Sequence, residues 1–224
     1  MVTTAGIRKS EIEGKANVEV DGSKHQQDLS KNYQLPKLII PSDGWIPVQP
    51  VMISKIGQRN PLLYQQVIDQ FQVETQNRYK IKGHDTYCNI FMWDVTSAMG
   101  AEIPHWVDEK TGVPRRFPDI KGARELNAND TVDWLRTYGK DYGWIKVSAE
   151  EAQMAANKGE PAITAFKNPG GRGHFQIIRP SEYGYDKERG VFIAQAGAKN
   201  FNSGYITQVY QKNRLNEIEY YIHK

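Results

Sequence analysis

Apolar side chains recur along this chain at two spacings, and the change from one to the other falls near Gly159. Before it the spacing is helical. Asn60-Pro61, a side-chain cap followed by proline at the first helical position, opens a segment with Leu63, Val67 and Phe71 on one face, which predicts a helix through about Asn77. Phe91, Val95, Ala98 and Met99 fall on one stripe with Cys88, so a second helix is expected over about Asn89 to Met99, closed by Gly100 as a left-handed cap. A third is expected over Asn129 to Tyr138, ending at Gly139, and a fourth opens on the capping box Ser148-Ala149-Glu150-Glu151 and stops before Gly159. Beyond Gly159 short runs read as strands at 161–167, 174–179, 191–196, 205–210 and 217–223, with turns rich in Gly, Asn, Ser and Pro.

Helices followed by strands predict an α+β fold, with helices packed on a mainly antiparallel sheet of five to six strands. Residues 1–35 are polar, mixed in charge and aperiodic, and are expected to form a flexible N-terminal arm; 36–224 is expected to be one domain. Within it, Leu35 to Ile56 carries Pro36, Pro41, Pro47 and Pro50, the pattern of an extended wrap over the core.

Composition narrows the possibilities. A single cysteine among 224 residues excludes an internal disulfide framework and a cysteine-rich zinc site. No run reaches the roughly 18–20 apolar residues that span a bilayer, so membrane insertion is not expected. The net charge of +3, without a dense basic block, argues against nucleic acid as a partner.

The chemistry centres on Cys88, placed where an extended segment turns into a helix. Unpaired amides and the positive end of the helix dipole favour thiolate there. Gly170-Gly171-Arg172-Gly173 reads as a tight turn rather than a phosphate loop, because it leads into a strand that begins with His174. His174, Gln176 and Ile178 share one strand face, and Val191, Ile193 and Gln195 share one face of the next, so neighbouring strands would set His174 beside Gln195. A nucleophile, a base and a group that orients the base are then available as Cys88, His174 and Gln195. The Cys88 amide is the expected oxyanion donor, with Tyr87 the nearest side chain able to help. Trp106 is, with Tyr87, a candidate oxyanion or substrate-binding residue, and His105, between Pro104 and Trp106, is expected as a loop residue that packs beside the Cys88 helix or lines a groove. Trp93, Trp106, Trp134 and Trp144 could stack on sugars but are expected mainly in the core. His84, Asp85, Glu102 and His105 lack a compact ligand spacing, so no metal is expected.

The segments Thr86-Tyr87-Cys88-Asn89-Ile90-Phe91, Gly173-His174-Phe175-Gln176-Ile177-Ile178-Arg179-Pro180 and Ile193-Ala194-Gln195-Ala196-Gly197 resemble the three motif regions of the papain-fold NlpC/P60 and CHAP hydrolases of bacterial cell walls, which include many phage endolysins. The resemblance covers roughly residues 60–224. It implies a papain-like fold and hydrolysis of a peptidoglycan amide, by a muramoyl-alanine amidase or a stem-peptide or cross-bridge endopeptidase. The murein stem peptide would be the partner of a monomer that needs no cofactor. Mild basicity suits an anionic wall polymer. Residues 1–32 lack the apolar core of a secretory signal, so delivery to the wall is expected through phage lysis, a secretion apparatus or prior removal of a leader. Two other readings use the same residues: a toxin-like cysteine amidase, deamidase or transglutaminase acting on a protein, and a non-catalytic wall-binding or phage structural module.

Overall fold

The computed structural model describes residues 34–224, so the expected arm of residues 1–35 lies outside it except for Gln34 and Leu35. From 34 to 60 the chain has no helix or strand, as its prolines require. Helix α1 (Pro61–Asp69) starts at the expected cap, with the Asn60 side chain accepting the Leu63 N–H. It ends well short of Asn77. Gln70 turns its amide to the preceding wrap, accepting from Val51 and Met52 N–H and donating to Met52 O, and Gln72 then takes a left-handed backbone at φ 46°. A 3₁₀ turn at Asn77–Tyr79 follows.

Helix α2 (Cys88–Ala98) begins one residue earlier than expected, with Tyr87 at the cap position. Gly100 closes it with φ 61°. The stripe of Phe91, Val95, Ala98 and Met99 is buried, but so are Ile90, Met92, Trp93, Asp94 and Thr96. This helix therefore runs through the core rather than along its surface.

Three short strands escaped the sequence reading: β1 (Trp106–Asp108), β2 (Pro114–Arg115) and β3 (Ala123–Glu125), an antiparallel sheet in the order β2-β1-β3. At two or three residues each, they are too short to show alternation. Helix α3 (Ala128–Tyr138) is capped by Asn127 rather than by Asn129. It ends at Tyr138 with Gly139 at the C-cap, as expected; a 3₁₀ turn over Gly139–Tyr142 follows, and the left-handed glycine is Gly143 at φ 83°. Gly139 is instead a packing site, because a Cβ there would stand 3.4 Å from both Leu135 and Trp144.

The chain then enters β4 (Trp144–Val147), also unforeseen, and α4 (Ala149–Ala156), whose Ser148/Glu151 capping box is formed as expected. The remaining strands are β5 (Ala162–Phe166), β6 (His174–Ile178), β7 (Phe192–Gln195), β8 (Phe201–Tyr205) and β9 (Glu219–His223). The strand expected at 205–210 lies earlier. Ile206, Val209 and Tyr210 are spaced for a helical turn, and residues 206–208 form one. The larger sheet has six strands in the order β4-β9-β5-β6-β7-β8, every pair antiparallel. The fold is thus α+β, with one three-stranded and one six-stranded antiparallel sheet.

Strands β5 and β7 are buried on both faces. Helix α2 packs on β6, and α4 packs on β5 and β9. Phe166 and His174 are cross-strand partners, and Tyr210 lies edge-on to Phe166 at 5.5 Å. Two buried ion pairs tie the layers together. Arg179 bonds Asp69 at 2.6 Å, joining β6's end to α1. Arg78 holds Asp94 of α2 through two nitrogens and also donates to the carbonyls of Pro41, Asp43 and Gly44, so it fastens the wrap over the helix.

Candidate active site

The structure brings Cys88, His174 and Gln195 together. Cys88 is the first residue of α2, and β6 passes beside it. Burial alone would disfavour a thiolate there. The neighbouring His174 imidazole, which hydrogen-bonds the sulfur, and the N–H groups of Phe175 and Asn89 outweigh that cost and pull the thiol below its usual range. The same pair works in reverse on the base. Burial disfavours the imidazolium, but the charge and hydrogen bond of Cys88, with the Gln195 bond, raise His174 above the usual histidine value. Both shifts favour a thiolate–imidazolium pair.

His174 Nε2 lies 2.9 Å from Gln195 Oε1. That leaves Nδ1 as the ring nitrogen available to Cys88. A row of amides determines which end of Gln195 faces the ring. Gln195 Nε2 donates to Lys199 O at 2.8 Å, and its Oε1 also accepts from Gln176 Nε2 at 3.3 Å. Thr164 Oγ1 in turn donates to Gln176 Oε1. Each group has one consistent direction, so Gln195 presents its oxygen, and the neutral imidazole carries its proton on Nε2 and a lone pair on Nδ1. That is the tautomer that can accept a thiol proton.

Several residues of this arrangement were not singled out from sequence. Gln176 shares the His174 face, and its signal in sequence is a polar side chain two positions on in an otherwise apolar strand. Tyr210, whose ring is 6.4 Å from that of His174, is kept protonated by burial and by the Cys88 charge. Gly197 lies against the imidazole, since a Cβ there would stand 3.0 Å from His174 Cε1.

Cys88 lines a groove of about 1000 Å³. One wall is the fastened wrap, Asp43 to Trp45; another is Leu126 to Asn129 with Glu125; a third is the glycine turn Gly171 to Gly173. Tyr87 and Trp106, the two candidate substrate-side residues, both line it. Arg172 of the turn reaches Asp85, three residues before Cys88, at 3.2 Å, so the segments carrying thiol and imidazole are also joined at the surface. Trp93, Trp134 and Trp144 are buried in the core; Trp45, 44% exposed on the groove wall, is the accessible tryptophan that sequence alone did not mark.

His105 is buried, stacked on Trp93 of α2 at 5.0 Å, with Nε2 at 2.9 Å from Glu125. This contact keeps the groove carboxylate of Glu125 below the usual range. Among the described residues, no group of three or more His, Cys, Asp and Glu side chains is placed to hold a metal ion. No described helix is long and apolar enough to cross a membrane. The chain matches no known protein-family model and no curated protein sequence.

Proposed function

We propose that this chain is a papain-like cysteine hydrolase that cleaves an amide bond of bacterial peptidoglycan. The observation that carries the reading is the contact of Cys88 with His174, held from behind by Gln195, beside a groove that Cys88 lines. The resemblance of the three segments around these residues to NlpC/P60 and CHAP hydrolases supplies the substrate class.

In this mechanism the Cys88 thiolate attacks the amide carbonyl, and the developing oxyanion is met by the Cys88 backbone N–H at the start of α2. His174, protonated on Nδ1 by the thiol, passes that proton to the amine as the C–N bond breaks. A thioester remains on Cys88. Water, deprotonated by His174, then releases the acid and restores the thiol. Gln195 acts through the imidazole, keeping its Nε2 protonated throughout.

Incubation of the protein with purified sacculi, followed by mass spectrometry of the soluble fragments, tests the reading. New amino groups without new reducing ends are expected, and none with Cys88→Ala. Intact sacculi after prolonged incubation, with a protein substrate modified instead, would move the activity to a toxin-like amidase; binding without cleavage would leave a wall-binding module.

A further inference from the structure

We propose that Asn200, outside the Cys88–His174–Gln195 set, is a positioning residue that selects the tautomer of His174 by holding the Gln195 amide in one orientation. The inference rests on the reading of that set as catalytic.

Asn200 sits at the end of the turn between β7 and β8 and spends its whole carboxamide on backbone. Its Oδ1 accepts the Gly197 N–H at 2.9 Å, and its Nδ2 donates to Val73 O at 3.0 Å and to Tyr79 O at 2.9 Å. Val73 and Tyr79 are fully buried. Tyr79 in turn stands on the nucleophile helix, edge-on to Phe91 at 5.3 Å and donating its hydroxyl to Asp94 at 2.7 Å. The turn is therefore fixed to the foundation of the helix that carries Cys88.

Two parts of this turn touch the imidazole machinery. Gly197 lies against the His174 ring. Lys199 supplies the carbonyl that accepts from Gln195 Nε2, and this bond directs Gln195 Oε1 to the ring. Loss of the Asn200 bonds frees both. Apart from the bond to the ring itself, the long 3.3 Å bond from Gln176 is then what opposes rotation of the Gln195 amide. A rotated amide offers N–H to His174 Nε2, which must become an acceptor. The proton of the neutral ring moves to Nδ1, and the imidazole can no longer take a proton from Cys88.

The test is the rate of Cys88 alkylation by iodoacetamide as a function of pH, on the full chain, in a double-mutant cycle of Asn200→Ala with Gln195→Ala. Asn200→Ala is expected to slow alkylation near pH 6 by about tenfold and to move the acid limb toward that of a free thiol. In the Gln195→Ala background the same change should add less than about twofold, because the amide it positions is gone. Additive effects, or a profile for Asn200→Ala that coincides with wild type, would overturn the proposal. If Asn200→Ala does not fold, Asn200→Ser takes its place in the cycle with the same two outcomes. A wild-type profile like that of a free thiol would overturn the catalytic reading along with this one, whereas an activated wild type with an unchanged variant overturns this one alone.

Discussion

Gln176 donates its amide to the same oxygen of Gln195 that meets the His174 ring, so one carboxamide oxygen ends a buried row running from Thr164 across β5, β6 and β7. A neutral amide has no charge with which to stabilise an imidazolium. It can hold a ring in one tautomer if its own direction is unambiguous, and the row supplies that direction.

Gln195→Ala is expected to reduce kcat for sacculus fragments by about 10²-fold with little change in KM, because the lost bond acts on the base and not on bound substrate. Gln195→Glu should retain more activity than the alanine variant, since a carboxylate offers only acceptors to Nε2. Steady-state kinetics on the three proteins decide the matter.

Gln176→Leu removes the middle of the row and leaves the buried Thr164 hydroxyl without its acceptor. A loss of about 1–3 kcal/mol in unfolding free energy is expected from denaturant melts. The accompanying fall in kcat should be smaller than for Gln195→Ala, because the Lys199 carbonyl still directs the Gln195 amide.

Gly197→Ala places a methyl 3.0 Å from His174 Cε1 and 3.6 Å from Gln195 Nε2. The ring must move by a few tenths of an ångström. A decline in kcat of about tenfold, with the melting temperature almost unchanged, is expected from the sensitivity of proton transfer to sub-ångström misplacement.

Arg78 and Asp94 bear on stability and on the groove together. Arg78→Ala leaves a buried carboxylate still bonded by the Tyr79 hydroxyl but without its guanidinium, and releases the carbonyls of residues 41, 43 and 44. Removal of one partner of such a pair costs about 3–5 kcal/mol, whereas replacing both by apolar residues costs much less. Thermal melts of Arg78→Ala and of the Arg78→Met/Asp94→Leu double variant should show that difference. KM should rise in both, because the wall formed by Asp43 to Trp45 loses its anchor.

Much of this architecture was legible because particular residues carry local signals. Asn60-Pro61, Ser148/Glu151 and Gly100 mark helix ends through hydrogen bonds or backbone conformations that few other residues supply, and each acts as its type predicts. The two-residue periodicity of strands around His174 and Gln195 was enough to set those residues side by side. What stayed hidden depends on distant contacts. Helix α1 stops early because Gln70 bonds to a segment 18 and 19 positions away. Asn127 and Asn129 are both asparagines before an apolar run, so sequence does not tell which one caps, and Asn129 instead bonds the carbonyls of Asn168 and Gly171. Gly197, Lys199 and Asn200 look like ordinary turn residues in sequence, and only the folded sheet brings them to the imidazole.

The pH dependence of Cys88 alkylation in the wild-type protein tests the thiolate–imidazolium pair most directly. The cysteine is held below its usual value and the histidine above its own, so thiolate should persist as pH falls well below the ~8.5 of a free thiol, and the imidazolium should survive as pH rises past the ~6.5 of a free imidazole. Rapid alkylation that sets in on an acid limb well below the free-thiol value, with that limb abolished by His174→Ala, is the predicted result. A single limb centred near the free-thiol value, unchanged by His174→Ala, would contradict it.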